Sequence, residues 1–161
     1  MLIVLSGLPG TGKTTIARAL ARETGAVHVR IDSIEQALRD EGVSVEGQGY
    51  AAGYAVAEDN LRLGRIVIAD CVNPWPLTRN AWAAVAERAG VRALDIEIVC
   101  SDEREHRRRV ESRASDIAGL ALPAWQDVVE RDYRPWDVAP LVLDTSRLDV
   151  EQTVRAILAA M

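Results

Sequence analysis

The sequence predicts an α/β fold with a parallel sheet. Three observations predict it. Short apolar runs alternate with helix-like stretches along all 161 residues. Runs such as 2–5 are apolar throughout, as strands covered on both faces are. A glycine-rich turn joins the first run directly to the first helical stretch.

Residues 2–5 form the first strand. The glycine-rich turn follows, then an alanine- and arginine-rich helix to about Glu23, ended by Gly25. Residues 27–31 alternate and are β-branched, so they form the second strand. A short helix at 33–41 takes Asp32 or Ser33 as N-cap. Gly42, Gly47 and Gly49 make 42–50 a loop. A helix at 51–63 stops at Gly64, and 65–70 is a third apolar strand ending in an acid. Asn73-Pro74-Trp75-Pro76 is a loop. An amphipathic helix at 77–89 closes at Gly90. The fourth strand runs over 91–100. A highly charged helix runs from 102 to about 115, with Ser101 or Asp102 as N-cap. A break at 115–123 precedes a helix at 124–133. Residues 141–143 are the fifth strand, and 149–160 the closing helix. No repeat or low-complexity linker divides the chain. One domain over 1–161 is expected, with a lid at about 102–122.

Composition narrows the classes. With 48% hydrophobic and 27% charged residues the chain is globular, not disordered. A net charge of −5 argues against nucleic acid as partner. No apolar run approaches the roughly 20 residues of a membrane span, and the first residues lack the features of a signal peptide. Cys71 and Cys100 have no zinc-ligand spacing and read as buried free thiols, so a cytoplasmic setting is expected. Oligomeric state is expected to be monomer or homodimer. His28 and His106 show no partner pattern. Trp82, Trp125 and Trp136 read as packing. Of 19 basic residues, only Lys13 is a lysine.

That lysine lies in the motif that carries the chemistry. Residues 7–14 read Gly-Leu-Pro-Gly-Thr-Gly-Lys-Thr, the phosphate-binding pattern GxxxxGK[ST], between a strand and a helix. Gly7, Pro9, Gly10, Thr11 and Gly12 curl the backbone so that its N–H groups form an anion nest at a helix N-terminus. Lys13 places a compact ammonium between the β- and γ-phosphates, where a broad guanidinium does not fit. The Thr14 hydroxyl takes one Mg²⁺ position, and Thr15 donates to the α-phosphate.

Ligands of parallel sheets collect beyond the strand C-termini. Asp32, at the end of the second strand, is placed to accept a proton from an attacking hydroxyl, or to cap the following helix. Asp70 ends a stretch resembling a Walker B strand and is placed to hold Mg²⁺ or contact substrate. Glu35 lies one helical turn past Asp32. Arg109 and Arg113 share a helix face at i and i+4 and are expected to close over a triphosphate, as a lid hinged at the break. Arg104, Arg107 and Arg108 read as a solvated face. Arg79, Asn73, Tyr50, Tyr54 and Trp75 are candidates for the acceptor pocket.

The loop at 7–14, Asp32, Asp70 with Asn73-Pro74, and Arg109-x-x-x-Arg113 resemble the small P-loop kinases of the AAA-33, zeta toxin-like class over nearly the whole chain. That wider group includes chloramphenicol phosphotransferase, gluconate and shikimate kinases and polynucleotide kinases. The resemblance implies a nucleoside monophosphate kinase-like three-layer sandwich, with five parallel strands in the order 2-3-1-4-5. It implies ATP and Mg²⁺ as cofactors and Asp32 as general base. Residues 70–89 also resemble the polynucleotide kinase module. There an arginine stands one turn past the strand-two acid; here it is Glu35. The expectation is a phosphotransferase acting on a hydroxyl of a small molecule, a metabolite or an antibiotic- or nucleoside-type natural product. A polynucleotide 5′-hydroxyl kinase and a nucleotide-binding regulatory switch are the alternatives.

Overall fold

The computed structural model describes residues 1–161. Its five strands are β1 (Leu2–Ser6), β2 (Val27–Arg30), β3 (Val67–Asp70), β4 (Ala93–Val99) and β5 (Leu141–Asp144). They form one sheet in the order β2-β3-β1-β4-β5, all parallel. The helices are α1 (Lys13–Thr24), α2 (Ile31–Asp40), α3 (Gln48–Arg62), α4 (Pro76–Arg88), α5 (Glu103–Ser112), α6 (Trp125–Val129) and α7 (Val150–Ala160).

Two apolar layers sandwich the sheet. On one face Leu2 and Val4 pack with Val29, Val67 and Ala69 against Ala57 and Leu61 of α3 and Trp82 and Val85 of α4. On the other, Ile3 and Leu5 pack with Ile68, Ile96 and Ile98 against Ile16 and Leu20 of α1 and Val154 and Ile157 of α7. Every residue of β1 is fully buried, which is why its sequence shows no polar alternation. Register sets the site: Leu5, Asp70 and Arg30 lie level on adjacent strands at their C-terminal ends. No helix is long and apolar enough to cross a membrane.

The structure differs from the sequence expectation at three elements. The second helix follows β2 without a turn, so Asp32 neither ends the strand nor caps the helix; Arg30 is the N-cap and Asp32 lies in the first turn. The charged helix, capped by the Asp102 side chain on the Glu105 N–H at 3.0 Å, stops at Ser112. Arg113 is extended backbone beyond it, so Arg109 and Arg113 do not share a helix face. The sixth helix has only five residues. Tertiary bonds take over the chain after it: Arg134 N–H donates to Pro74 C=O at 2.8 Å, and the carbonyls of Arg134 and Pro135 turn to Arg79.

Candidate active site

The nest is built as its glycines require. Gly7 has φ 138°, and a Cβ there would meet the Ile98 carbonyl oxygen at 2.2 Å. Gly10 has φ 85°, and a Cβ would meet Val110 Cγ2 at 2.5 Å. The second contact shows that α5 packs directly on the tip of the loop. His106 adds to it, its Nε2 2.8 Å from the Pro9 carbonyl oxygen and its ring edge-on to Trp125. The base of the expected lid is therefore packed on the loop, and residues 113–116 and 120–123 beyond it line the cleft. Helix α1 opens at Lys13 with no acid in its first turn, so its positive end is uncompensated. Lys13 is buried, and its Nζ donates to the Leu8 carbonyl at 2.8 Å. Burial lowers its pKa, while Asp70 and Asp32 favour the charged form.

Two carboxylates stand beside this ammonium in different settings. Asp70 is 3% exposed and lies 3.1 Å from His28 Nε2. Burial pushes its pKa up, but His28, Lys13 and the Thr14 hydroxyl outweigh that and hold it below the usual carboxylate value. Asp32 lines the cleft unpaired, within electrostatic reach of Lys13 and Arg113. Glu35 lines the same wall and accepts from Arg39 at 3.1 Å. Burial raises its pKa against the pull of Arg39.

The two lid arginines divide. Arg109 is held by Glu105 at 2.8 Å and by the Thr145 hydroxyl and carbonyl at 2.8 and 3.0 Å. Thr145 in turn donates to the Thr11 carbonyl at 2.8 Å, which ties Arg109 to the nest while it also lines the cleft. Arg113 enters the cleft free, and its buried Nε has no partner. Burial lowers its pKa; Asp32 opposes this and Arg30 adds to it.

Three acceptor candidates lie elsewhere. Arg79 is buried and spends its guanidinium on the carbonyls of Asn73, Pro74, Arg134 and Pro135, between the rings of Trp136 and Tyr133. It pins the 132–136 segment to the loop after β3 and does not line the cleft. Asn73 is fully buried, with φ 52° and its amide donating to Ser6 Oγ at 2.9 Å. Tyr54 packs edge-on against Trp82 in the core. Tyr50 and Trp75 line the cleft instead, and Tyr50 accepts the Asn73 N–H at 2.9 Å. Sequence reasoning missed Arg18, Arg30 and Asp116, which meet across the cleft mouth, and the roles of His28 and His106. Only the position of Arg30 at the end of β2 signalled any of these. Both cysteines are free and buried, and burial pushes the Cys71 thiol up to about 12.

The cleft measures about 800 Å³, with the nest at one end and Asp32, Glu35 and Arg39 along one wall. The hard oxygens of Thr14 and the ionised Asp70, beside a nest for phosphates, suit Mg²⁺. No group of three or more His, Cys, Asp or Glu side chains stands together. A cation here would therefore be shared between one or two protein oxygens and the phosphates.

Known proteins share this fold. The AAA_33 family, described as an AAA domain, matches residues 2–131. The chain is 30% identical over 169 residues to a protein of Aeropyrum pernix named probable adenylyl-sulfate kinase, covering 96% of this chain and 88% of that one. Kti12 of Chaetomium thermophilum, solved in complex with ADP-AlF3, superposes with a TM-score of 0.72 at 26% identity over 99% of this chain and 98% of that one. The APS kinase CysC of Mycobacterium tuberculosis, in complex with AMPPNP and APS, shares the fold with a TM-score of 0.70 at 14% identity, covering 98% and 95%. With its nest, its parallel sheet order and these relatives, the chain belongs to the AAA_33 family of small P-loop kinases.

Proposed function

We propose that this kinase transfers the γ-phosphoryl group of ATP to a hydroxyl of a small molecule. One observation carries the proposal: Asp32 stands unpaired in the cleft, between the Lys13 nest and Arg113, with open volume beside it. The name of the Aeropyrum pernix relative, an adenylyl-sulfate kinase, supports a small-molecule acceptor. Residues 1–161 act as one domain, with a lid at about 102–122 whose part beyond α5, 113–122, closes.

ATP lies with its phosphates in the nest of residues 7–13 and the Thr14 and Thr15 side chains beside them. Lys13 exchanges its bond to Leu8 for the β- and γ-oxygens. Thr14 and Asp70 would hold Mg²⁺, which supplies charge neutralisation on those oxygens. Asp32 accepts the acceptor hydroxyl proton as that oxygen bonds to the γ-phosphorus. The bond to the bridging β-oxygen breaks, and ADP leaves with the electron pair. Arg113 stabilises the equatorial charge from the lid side, and Arg109 steadies the nucleotide end through Thr145.

A regulatory switch has no use for an acceptor space beside Asp32, whereas a kinase requires one. A polynucleotide kinase calls for a basic channel; here Arg18 and Arg30 pair with Asp116, and Arg39 pairs with Glu35. The test is an ATP-consumption screen over hydroxylated metabolites, aminoglycosides, nucleoside antibiotics and 5′-hydroxyl oligonucleotides, with mass spectrometry to locate the added phosphate. Phosphate on a small-molecule hydroxyl is the expected result. Phosphate on the oligonucleotides alone, or on nothing while ATP still binds, overturns the proposal.

A further inference from the structure

The cleft is lined by arginines from both the sheet and the segment after α5. Arg30, from the end of β2, and Arg113, from the segment after α5, both line the cleft, and Arg30 disfavours the charge of Arg113. Both have a buried Nε without a partner. On its far side Arg30 holds both carboxylate oxygens of Asp116, at 2.8 Å from Nη1 and 3.1 Å from Nη2, and Arg18 takes one of the same oxygens. A fork on two oxygens is how arginine recognises carboxylate, sulfate and phosphate alike.

The two sides of this contact are built differently. Arg30 is fixed by the sheet, and its side chain is only 12% exposed. Asp116 hangs on the irregular lid segment and is 45% exposed. Asp32 and Arg30 line the same cleft, so a molecule with its hydroxyl at Asp32 can extend along that cleft to the Arg30 fork.

We propose that Arg30 and Arg18 are an anion seat for the acceptor. The acceptor then carries a phosphate, sulfate or carboxylate besides its hydroxyl, and Asp116 is an internal stand-in that it displaces. The proposal rests on Asp32 marking the acceptor side. If Asp116 merely clasps the lid shut, removing it weakens binding; if it competes for the seat, removing it strengthens binding. The sign decides between them.

The full chain, saturated with AMPPNP and Mg²⁺ so that the nest is filled, is titrated with inorganic sulfate by calorimetry. Asp116→Ala is expected to bind sulfate at least about tenfold tighter than the parent, because a competing carboxylate held by two arginines is gone. Arg30→Gln is expected to lose at least about tenfold; should that variant melt early, Arg18→Ala on the surface of α1 reports the same loss. Unchanged or weaker sulfate binding in Asp116→Ala overturns the seat. A second arm offers matched pairs of hydroxyl compounds with and without an anionic group. Transfer confined to the anionic members, with KM lowered and kcat kept in Asp116→Ala, supports the proposal; equal kcat/KM for neutral members overturns it. Transfer to no compound at all overturns the kinase mechanism at Asp32, and the sulfate titration still judges the seat.

Discussion

The phosphate nest and the proposed acceptor wall line the same cleft, yet they are made in opposite ways. The nest is eight consecutive residues, 7–14, and acts through backbone N–H groups whose direction glycine conformations set. The wall draws Arg18 from α1, Arg30 from β2, Asp32 from α2 and Arg113 and Asp116 from the lid. The nest is held by covalent geometry and by close packing on Ile98 and Val110. On the wall, Arg18, Arg30 and Asp116 are held by ion pairs at the solvent boundary, while Asp32 and Arg113 are unpaired. A kinase divided this way keeps its donor chemistry fixed while its acceptor changes with a few side chains.

The largest effect belongs to the nest. Lys13→Ala should lower kcat by about 10⁴-fold, since the ammonium meets the charge that shifts during transfer. Lys13→Arg should not restore it, because the fork does not fit the loop that holds Leu8 C=O 2.8 Å from the ammonium. Steady-state ATP consumption measures both, and near-parent turnover in Lys13→Ala would break the assignment of the nest. Next comes Asp32→Asn on the wall. It should cut kcat by about 10³-fold through loss of the proton acceptor while AMPPNP binding stays within about twofold. A collapse of AMPPNP affinity would move Asp32 into the nest and erase the division.

The same division explains what the sequence makes legible. The alternation of strands and helices, the two-faced core and the nest follow from local patterns: unbroken apolar runs, glycine stops, and the GxxxxGK[ST] spacing; the order of the strands comes only with the family resemblance. Asp70 is legible because a strand-end acid needs no distant partner to be noticed. The wall is not legible. Asp116 lies 86 residues from Arg30 and 98 from Arg18, and no local pattern marks three residues that meet only after folding. Arg79 misled for the same reason. Its position just after the Asn73-Pro74 loop suggested substrate, but the carbonyls of Arg134 and Pro135, distant in sequence, claim its donors. His28 looked partnerless because Asp70 reaches it only across the β2–β3 pair.

Arg109 and Arg113 sharpen the comparison, since one helix period suggested a single role. Arg109 is tied through Thr145 to the nest, and Arg113 belongs to the wall. Arg113→Ala should lower kcat by about 10²-fold with AMPPNP affinity kept. Arg109→Ala should weaken AMPPNP binding by about tenfold, with a smaller loss in kcat. Equal kinetic signatures in the two variants would return them to a common clamp.

The smallest effect is in the lid itself. Two arginines hold Asp116 well below the usual carboxylate value. A lowered carboxylate contributes its stabilisation above the unfolded value, about 4, and loses it as pH falls below that. Lid protection in the free protein should therefore be flat from pH 7 to about pH 4 and decline only in more acid solution. Exposed ion pairs contribute about 0.2–1 kcal/mol, and the two here share one carboxylate, so about 0.4–1 kcal/mol together changes local opening by only about two- to fivefold. Hydrogen exchange over residues 113–122, corrected for the intrinsic rate at each pH, measures it. Asp116→Asn should show the reduced protection already at pH 7, with the nest amides of residues 10–14 unchanged. Nest amides that lose protection along with the lid would show that the two regions open together, and would make the acceptor wall part of the donor site after all.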